Sequence, residues 1–547
     1  MSRYEDYILK IFSSEDVYKT GNELNNMLQR EFGITSPNSR KVISRVCDKN
    51  LIRSSKPITF GNGQYVYFKN STNLNINVVK KITRENRPPV YHLLNLLESS
   101  EGIISYYEGL KVTASPIKKE KEKSSTLGEI LSMLIALNLV EITNDRGITY
   151  IVLSKYKDDS LYLMKNHRRK MDLDCMFIPD IKNWLVKHNF IDNNYIVYRN
   201  KSLPTKGAEH NNYVWDAYAY TNTTGYNTLL ENNKERDDKK TLVVLDIIVN
   251  RTYMSCDVQG FLRRVQAVRS SSKMTRKLLP IVVYQEITSH AYSQLKKLGF
   301  IMLNLGTVYG ANIYPIIQSV KDIKSEIRSE GHLLSEEIIG NVEYTLSKMN
   351  DSGQIDNLGN LKGDLFESLM YTVVKRLHND SSIEQGKVLR RKNPDGSSEY
   401  YEYDLIVRDY RNEEIIIYEF KGYNSTKVIP LKPYDKPNTV KWFFNKTLPF
   451  AREELKKQSI FPVKGCYITT ATFSEEALKV LKNLNTHKNI KPETHDVYYD
   501  GEKLISLLTK LRENHTIEIL KKYFIKLHKI QPEENLDSLE DIEDCPF

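Results

Sequence analysis

The chain has 547 residues, 40% of them hydrophobic and 27% charged, a balance that excludes wholesale disorder and implies three or four folding units. No apolar run reaches the roughly 18 residues that span a bilayer, and the opening MSRYEDYILK lacks the basic-then-apolar layout of a secretory leader, so a cytoplasmic chain with no membrane partner is expected. Cys47, Cys175, Cys256, Cys466 and Cys545 show neither zinc nor disulfide spacing; the net charge of +10 becomes +17 on residues 1–530 once the acidic tail is set aside, which suits a polyanionic partner.

From the N-terminus, Tyr4–Phe12 predicts one helix, and Leu24, Met27, Leu28 and Phe32 predict a second that Gly33 ends. Ser36 caps a third, with Pro37 at its first position and Val42, Ile43 and Val46 facing inward. Leu51–Phe60 and Gln64–Phe68 predict a hairpin about Gly61-Asn62-Gly63. Three helices followed by a hairpin resemble a winged-helix domain, here over residues 1–75. That resemblance implies a third helix lying in a DNA major groove, with Asn38, Arg40, Lys41 and Arg45 on its outer face as donors to phosphates and guanine edges. The competing reading is a solvated basic face or a protein contact.

Residues 87–156 resemble a second, looser winged-helix-like domain. Its elements are helices Val90–Leu97 and Leu127–Leu137 and strands Leu139–Thr143 and Ile148–Leu153 about a turn at 144–147. Lys118–Lys123 predicts a loop and His167–Lys170 a basic surface cluster. Over 171–310 the pattern predicts helix Asp172–His188, strand-like Tyr195–Tyr198 and Tyr213–Tyr220, and a buried central strand Thr241–Val249. Helix Val258–Val268, strand Leu279–Tyr284, helix Ala291–Leu298 and strand Phe300–Leu303 follow. A helical linker is expected over 311–356, its helical part Ile313–Met349, with Ser352–Asn360 joining it to the last domain.

The most specific chemistry lies in residues 357–530. Helix Asp364–Leu377 carries an apolar stripe from Leu365 to Leu377 with Glu367 at its edge. Tyr400–Arg408 and Glu413–Lys421 alternate as strands about the turn Asp409–Asn412. Glu419 and Lys421 are two apart and share a face. A four-residue turn then sets Asp404 opposite Ile417 and diagonal to Glu419, about 7–8 Å away. Two carboxylates converging on a buried sheet repel unless a cation lies between them. A hard divalent ion, Mg²⁺ first, suits such oxygen donors, and a neighbouring lysine can orient or deprotonate the attacking water and steady charge building on a phosphate.

This set resembles the PD-(D/E)XK superfamily of nucleases, which share the restriction-endonuclease-like fold. The matching residues are Glu367 in Gly363-Asp-Leu-Phe-Glu367, Asp404 in Tyr-Asp-Leu-Ile, and Glu419-Phe-Lys421; helix Val440–Lys457, strand Val463–Thr470 and helix Ser474–Leu484 continue in the family's order, and Val497–Leu508 suits its tail. The family's proline before the aspartate is replaced by Tyr403. The resemblance implies that Asp404 and Glu419 bind Mg²⁺ (Mn²⁺ can substitute), that Glu367 helps hold it through water, and that Lys421 assists the attacking hydroxide. In 171–310, Asp216 and Asp246 occupy the acids' places, but Ile248 stands where the lysine belongs. An inactive second copy is expected there, packing against the active domain or gripping nucleic acid, with Arg263, Arg264, Arg269, Lys273 and Arg276 nearby; a generic α/β domain is the equal alternative.

The expected fold class is therefore multidomain α/β (α+β), winged-helix modules followed by two restriction-endonuclease-like domains, the first degenerate, with a disordered acidic tail at 531–547. The resemblance implies a metal-dependent endodeoxyribonuclease acting on double-stranded DNA in bacterial restriction or anti-phage defence. A homodimer would cut both strands. With no GxxxxGK[ST] loop, any motor or activator would be a separate subunit. The eleven histidines show no paired set. Two alternatives stay open: a catalytically silent DNA-binding regulator or scaffold, and a nuclease for RNA or branched DNA.

Overall fold

The computed structural model describes residues 2–14, 17–61, 63–72, 74–118, 126–145, 147–199, 201, 204–222, 240–271, 276–328, 335–392, 398–423, 426–432 and 439–525. The acidic tail 531–547, Lys273 and the part of the Lys118–Lys123 run after Lys118 lie outside the described residues. The chain divides into two compact units, Met1–Lys321 and Asp322–Phe547. The helical linker expected over 311–356 contains two helices, Ile313–Arg328, which carries the boundary, and Ser335–Asp351. The joining segment is shorter than expected, because the next helix starts at Gly359.

The first unit opens with one motif used twice. Helix Arg3–Ile11, strand Tyr18–Thr20, helices Gly21–Phe32 and Ser36–Asp48, and strands Ile52–Ser54 and Val66–Lys69 form the first copy. Helix Pro88–Ser99, strand Ile103–Ser105, helices Tyr106–Thr113 and Leu127–Ala136, and strands Val140–Asp145 and Ile148–Leu153 form the second. In both, the last strand lies between the other two in an antiparallel sheet. Helix starts follow local chemistry: Thr20 with Glu23, Ser105 with Glu108 and Thr126 with Glu129 make reciprocal capping boxes. Gly33 ends its helix at φ +61°, where a side chain would be strained. The third helix has Thr35 at its N-cap position, one residue earlier than expected and without a side-chain capping bond, and the first wing's strands are shorter than predicted. In the second copy the strands run to Asp145 and Ile148, leaving two residues between them rather than four.

Behind these copies stands a five-stranded sheet in the order Ile301–Asn304, Leu278–Tyr284, Thr241–Ile248, Ala217–Thr221, Ile196–Tyr198. The first two pairings are parallel and the last two antiparallel. Thr241–Ile248 is buried throughout, as a central strand with helices on both sides requires. The helix before the sheet is longer than expected, Ser160–Lys187.

The second unit repeats that sheet. Its order is Ser382–Lys392, Ser398–Asp409, Glu414–Lys421, Val463–Thr469, Tyr498–Tyr499, two antiparallel pairings followed by two parallel ones. It too is preceded by a helix, Gly359–Leu377. The edge strand Ser382–Lys392 was not foreseen, since its residues are mostly half-exposed and carry no clean alternation. The expected helix Val440–Lys457 is broken into Val440–Trp442, a π-helical turn Phe443–Thr447 and Leu448–Leu455. That turn packs Phe443 and Phe444 beneath Tyr403 and Tyr467 in one apolar cluster. Among the described residues no helix is long and apolar enough to cross a membrane.

Candidate active site

Two strands place the acids of the second unit. The loop between them is Tyr410–Glu413, one residue later than predicted, with Glu413 at φ +53°. This changes the register: Asp409 pairs with Glu414 and Leu405 with Tyr418, so the ladder continued by one step sets Asp404 directly opposite Glu419, not diagonal to it. The parity argument is unaffected because the slip is two residues. The ladder stops at Leu405, and one carboxylate oxygen of Asp404 accepts a 2.7 Å hydrogen bond from the backbone N–H of Phe420. That bond fixes the aspartate's rotamer against the neighbouring strand.

The Lys421 Nζ lies 2.7 Å from Glu419 Oε1 and 3.5 Å from Asp404 Oδ2. The cation expected between the two acids is thus, in this arrangement, the lysine's own ammonium. Burial pulls its pKa down, but Asp404 and then Glu419 outweigh burial and hold it well above its ordinary value. As placed, Lys421 is a positive charge rather than a proton acceptor. All three side chains remain 11–15% exposed, so solvent reaches the site.

Gly422 follows immediately and explains itself. A Cβ there would stand 2.4 Å from the Cβ of Phe366, so only glycine lets helix Gly359–Leu377 close over the strand end. The next residue of that helix, Glu367, is half-buried, and its charge bears on Lys421. Among the described residues, however, no three His, Cys, Asp or Glu side chains are gathered as a metal group. The expected three-carboxylate ligand set is therefore not closed, and the site reduces to a pair plus a nearby third charge. The donors still fit Mg²⁺, which keeps several waters and commonly takes one or two carboxylates. Tyr467, the register partner of Glu419, is 1% exposed and its hydroxyl has no hydrogen-bond partner. A water held beside the acids would satisfy it.

The opposite face of the same strand holds a polar chain that sequence reasoning missed. Asp409 Oδ2 meets His378 Nδ1 at 2.9 Å, His378 Nε2 meets the Tyr418 hydroxyl at 2.8 Å, and that hydroxyl meets His495 Nε2 at 2.9 Å. Thr494 Oγ1 closes it at 2.8 Å from His495 Nδ1. Burial, and then the neighbouring His378, push His495 down to about 3. Two of the histidines are thus joined through one tyrosine hydroxyl in the core. Their separation of 117 positions left no local signal.

The middle sheet carries a second acid pair in the same register. Ala217 pairs with Leu245, which sets Asp216 opposite Asp246, and Asp216 Oδ2 accepts a 2.7 Å bond from the N–H of Ile247. Asp216, Asp246 and Ile247 thus stand in for Asp404, Glu419 and Phe420. Ile248 supplies no amine, but Lys111 does, from helix Tyr106–Thr113: its Nζ is 2.5 Å from Asp216 and 2.9 Å from Asp246. Arg264 is not on a nucleic-acid-gripping surface as expected; it is 1% exposed and bonds Asp246 at 2.9 Å. Arg276 lies over the Tyr220 ring, and Arg263 is half-buried.

Asn38, Arg40, Lys41 and Arg45 are all exposed on helix Ser36–Asp48. At 100° per residue, Asn38, Lys41 and Arg45 share one face and Arg40 lies on the opposite flank. The matching helix of the second copy, Leu127–Ala136, has no Lys or Arg. Its neighbour cluster 167–170 is helical rather than a loose surface run. His167 is buried 2.6 Å from Glu108, and Arg168 bonds Asp172.

Comparison of the chain with family models, curated proteins and solved structures returned no match.

Proposed function

We propose that the protein is a metal-dependent endonuclease whose cutting centre is Asp404, Glu419 and Lys421, with residues 1–75 as its reader of double-stranded DNA. The observation that carries this reading is the direct opposition of two partly exposed carboxylates at a strand end with an ammonium between them. A salt bridge built only for stability needs one acid and one base; here a second acid joins the pair, and all three side chains stay 11–15% exposed, open to exchange with solvent. The helix, two antiparallel pairings and two parallel ones around it agree with the restriction-endonuclease-like resemblance.

Asp404 and Glu419 would hold Mg²⁺, which supplies Lewis-acid polarisation of the phosphodiester. The chain's own groups then have separate tasks. Phe420 N–H keeps Asp404 in place, Lys421 holds the attacking water or a phosphate oxygen and steadies negative charge as it grows, and Glu367 tunes the lysine from the adjoining helix. Asn38, Lys41 and Arg45 bind the duplex as one basic face. One cutting centre per chain requires a homodimer for double-strand breaks, and genome defence is the biological setting we propose by analogy.

The test is a supercoiled plasmid incubated with the full chain and Mg²⁺, beside EDTA and Asp404→Ala. Cutting that needs metal and falls by at least about 10³-fold in the variant is expected. Linear product indicates paired centres, open circles a nicking monomer. Cutting of RNA but not DNA would move the substrate, and no cutting with either metal or either substrate would leave the silent scaffold.

A further inference from the structure

We infer that the acid pair of the middle sheet is not a second cutting centre but a charge-balanced socket for helix Tyr106–Thr113, which welds the second winged-helix-like copy to the α/β sheet behind it. Three observations converge on it. The first is electrostatic. Asp174, Asp216 and Asp246 face Lys111, Arg199 and Arg264: Lys111 joins Asp216 and Asp246, Arg199 reaches Asp174 at 3.3 Å and Asp216 at 3.4 Å, and Arg264 holds Asp246. Three carboxylates meet three cations. Asp216 and Asp246 are 0% and 1% exposed, so the desolvation cost is met by partners already in place.

The second observation is the hydrogen-bond shell around the acids. Asp216 also accepts from Tyr107 at 2.8 Å and Asp246 from Tyr253 at 2.8 Å, while Asp174 accepts from Val249 N, Asn250 N and the Asn250 amide. A divalent ion entering here would have to break this shell and bury unpaired guanidinium charge. The third is steric and independent of charge. A Cβ on Gly260 would meet the Lys111 carbonyl oxygen at 2.5 Å and the Val112 Cα at 2.8 Å, and one on Gly207 would meet the Tyr107 ring at 2.3 Å. Both glycines lie on the α/β side, so its surface is cut to admit the helix backbone at Gly260 and the Tyr107 ring at Gly207. The lysine lost from the strand has been replaced from another element, and both acids it serves lie at 0–1% exposure.

Hydrogen–deuterium exchange on the full chain tests this without reference to any nuclease activity. Lys111→Met should raise exchange at least tenfold in peptides covering 105–113 and 241–248. Lys111→Met with Asp216→Asn, which removes one charge of each sign, should recover much of that protection. Gly260→Ala should open the same peptides with every charge intact. Wild-type exchange in 105–113 for both Lys111→Met and Gly260→Ala would overturn the socket. If Lys111→Met does not accumulate, a folded double variant supports it and an unfolded one overturns it. A second result would also overturn it: Mg²⁺-dependent plasmid cutting gained by Lys111→Met in the Asp404→Ala background and lost again with Asp246→Asn, which would make this a gated second centre.

Discussion

Lys421→Met should separate metal binding from cutting. The ammonium lies 2.7 Å from Glu419 and 3.5 Å from Asp404, and those acids oppose one another across the ladder. Opposed side chains stand about 5 Å apart. At an effective dielectric near 20, two carboxylates at that spacing repel by about 3 kcal/mol, equivalent to about two pK units. In the native chain the lysine cancels this repulsion, and a divalent ion must compete with it. Methionine keeps the length of the stem and removes the charge. The variant's acids should therefore bind Mn²⁺ about 10- to 100-fold more tightly, on the order of 1.4–3 kcal/mol. Plasmid cutting should nevertheless fall by about 10²–10⁴, because the group that positions water and steadies the phosphate is gone. Calorimetric titration with Mn²⁺ at pH 7, with Asp404→Ala as blank, gives the first number, and plasmid cutting gives the second. Weaker metal binding in Lys421→Met, or cutting within threefold of native, would refute the reasoning.

Three other perturbations follow from the same structure. His495 sits near 3 when folded against about 6.5 unfolded; a lowered pKa contributes stability that is complete above pH 6.5 and drains away towards pH 3, about 2 kcal/mol of it by pH 5. The thermal midpoint should thus drop further between pH 7 and 5 in the native chain than in His495→Gln, and equal drops would contradict the buried neutral histidine. Arg264→Met removes one of the two cations that hold Asp246 in a site 1% exposed, leaving Lys111 and the Tyr253 hydroxyl, and should cost about 3 kcal/mol in urea unfolding; a loss under about 1 kcal/mol would show the guanidinium to be dispensable. Lys41→Ala and Arg45→Ala should each lower the salt slope of DNA binding by about one, whereas Glu129→Ala on the cation-free helix should leave affinity unchanged; equal effects would dissociate DNA contact from the first copy.

What could be read from the chain depended on how local its cause was. Helix stripes, the buried run before Glu419 and the spacing Glu419-Phe-Lys421 are carried by neighbouring residues, and period alone sets which of them share a face. The register of Asp404 was two residues off because a loop's exact bounds depend on Glu413 accepting a left-handed φ, which no hydrophobic pattern announces. Helix Tyr106–Thr113 had a signal that went unused, the Ser105-x-x-Glu108 capping box. Without that helix Lys111 had no place, and the middle acids looked like a site that had merely lost its lysine. The polar chain from Asp409 to Thr494 joins residues far apart in sequence, so only the folded sheet could reveal it.

The same backbone device, an aspartate facing a second acid and held by the next N–H, occurs in both sheets, and what differs is the company it keeps. In the second unit a lysine two residues along the strand serves both carboxylates, and water reaches all three side chains. A mobile cation can exchange with that ammonium, because hydration offsets part of the cost at each step. In the first unit the lysine comes from another helix, two arginines join it, and the acids lie at 0–1% exposure. Exchange there would demand that several desolvated charges lose their partners together, each at a cost of several kcal/mol. Acid geometry alone therefore does not mark a hydrolytic centre in this chain. The discriminating features are whether the balancing cation is single and local and whether solvent can replace it, and on both counts Asp404, Glu419 and Lys421 differ from Asp216, Asp246 and Lys111.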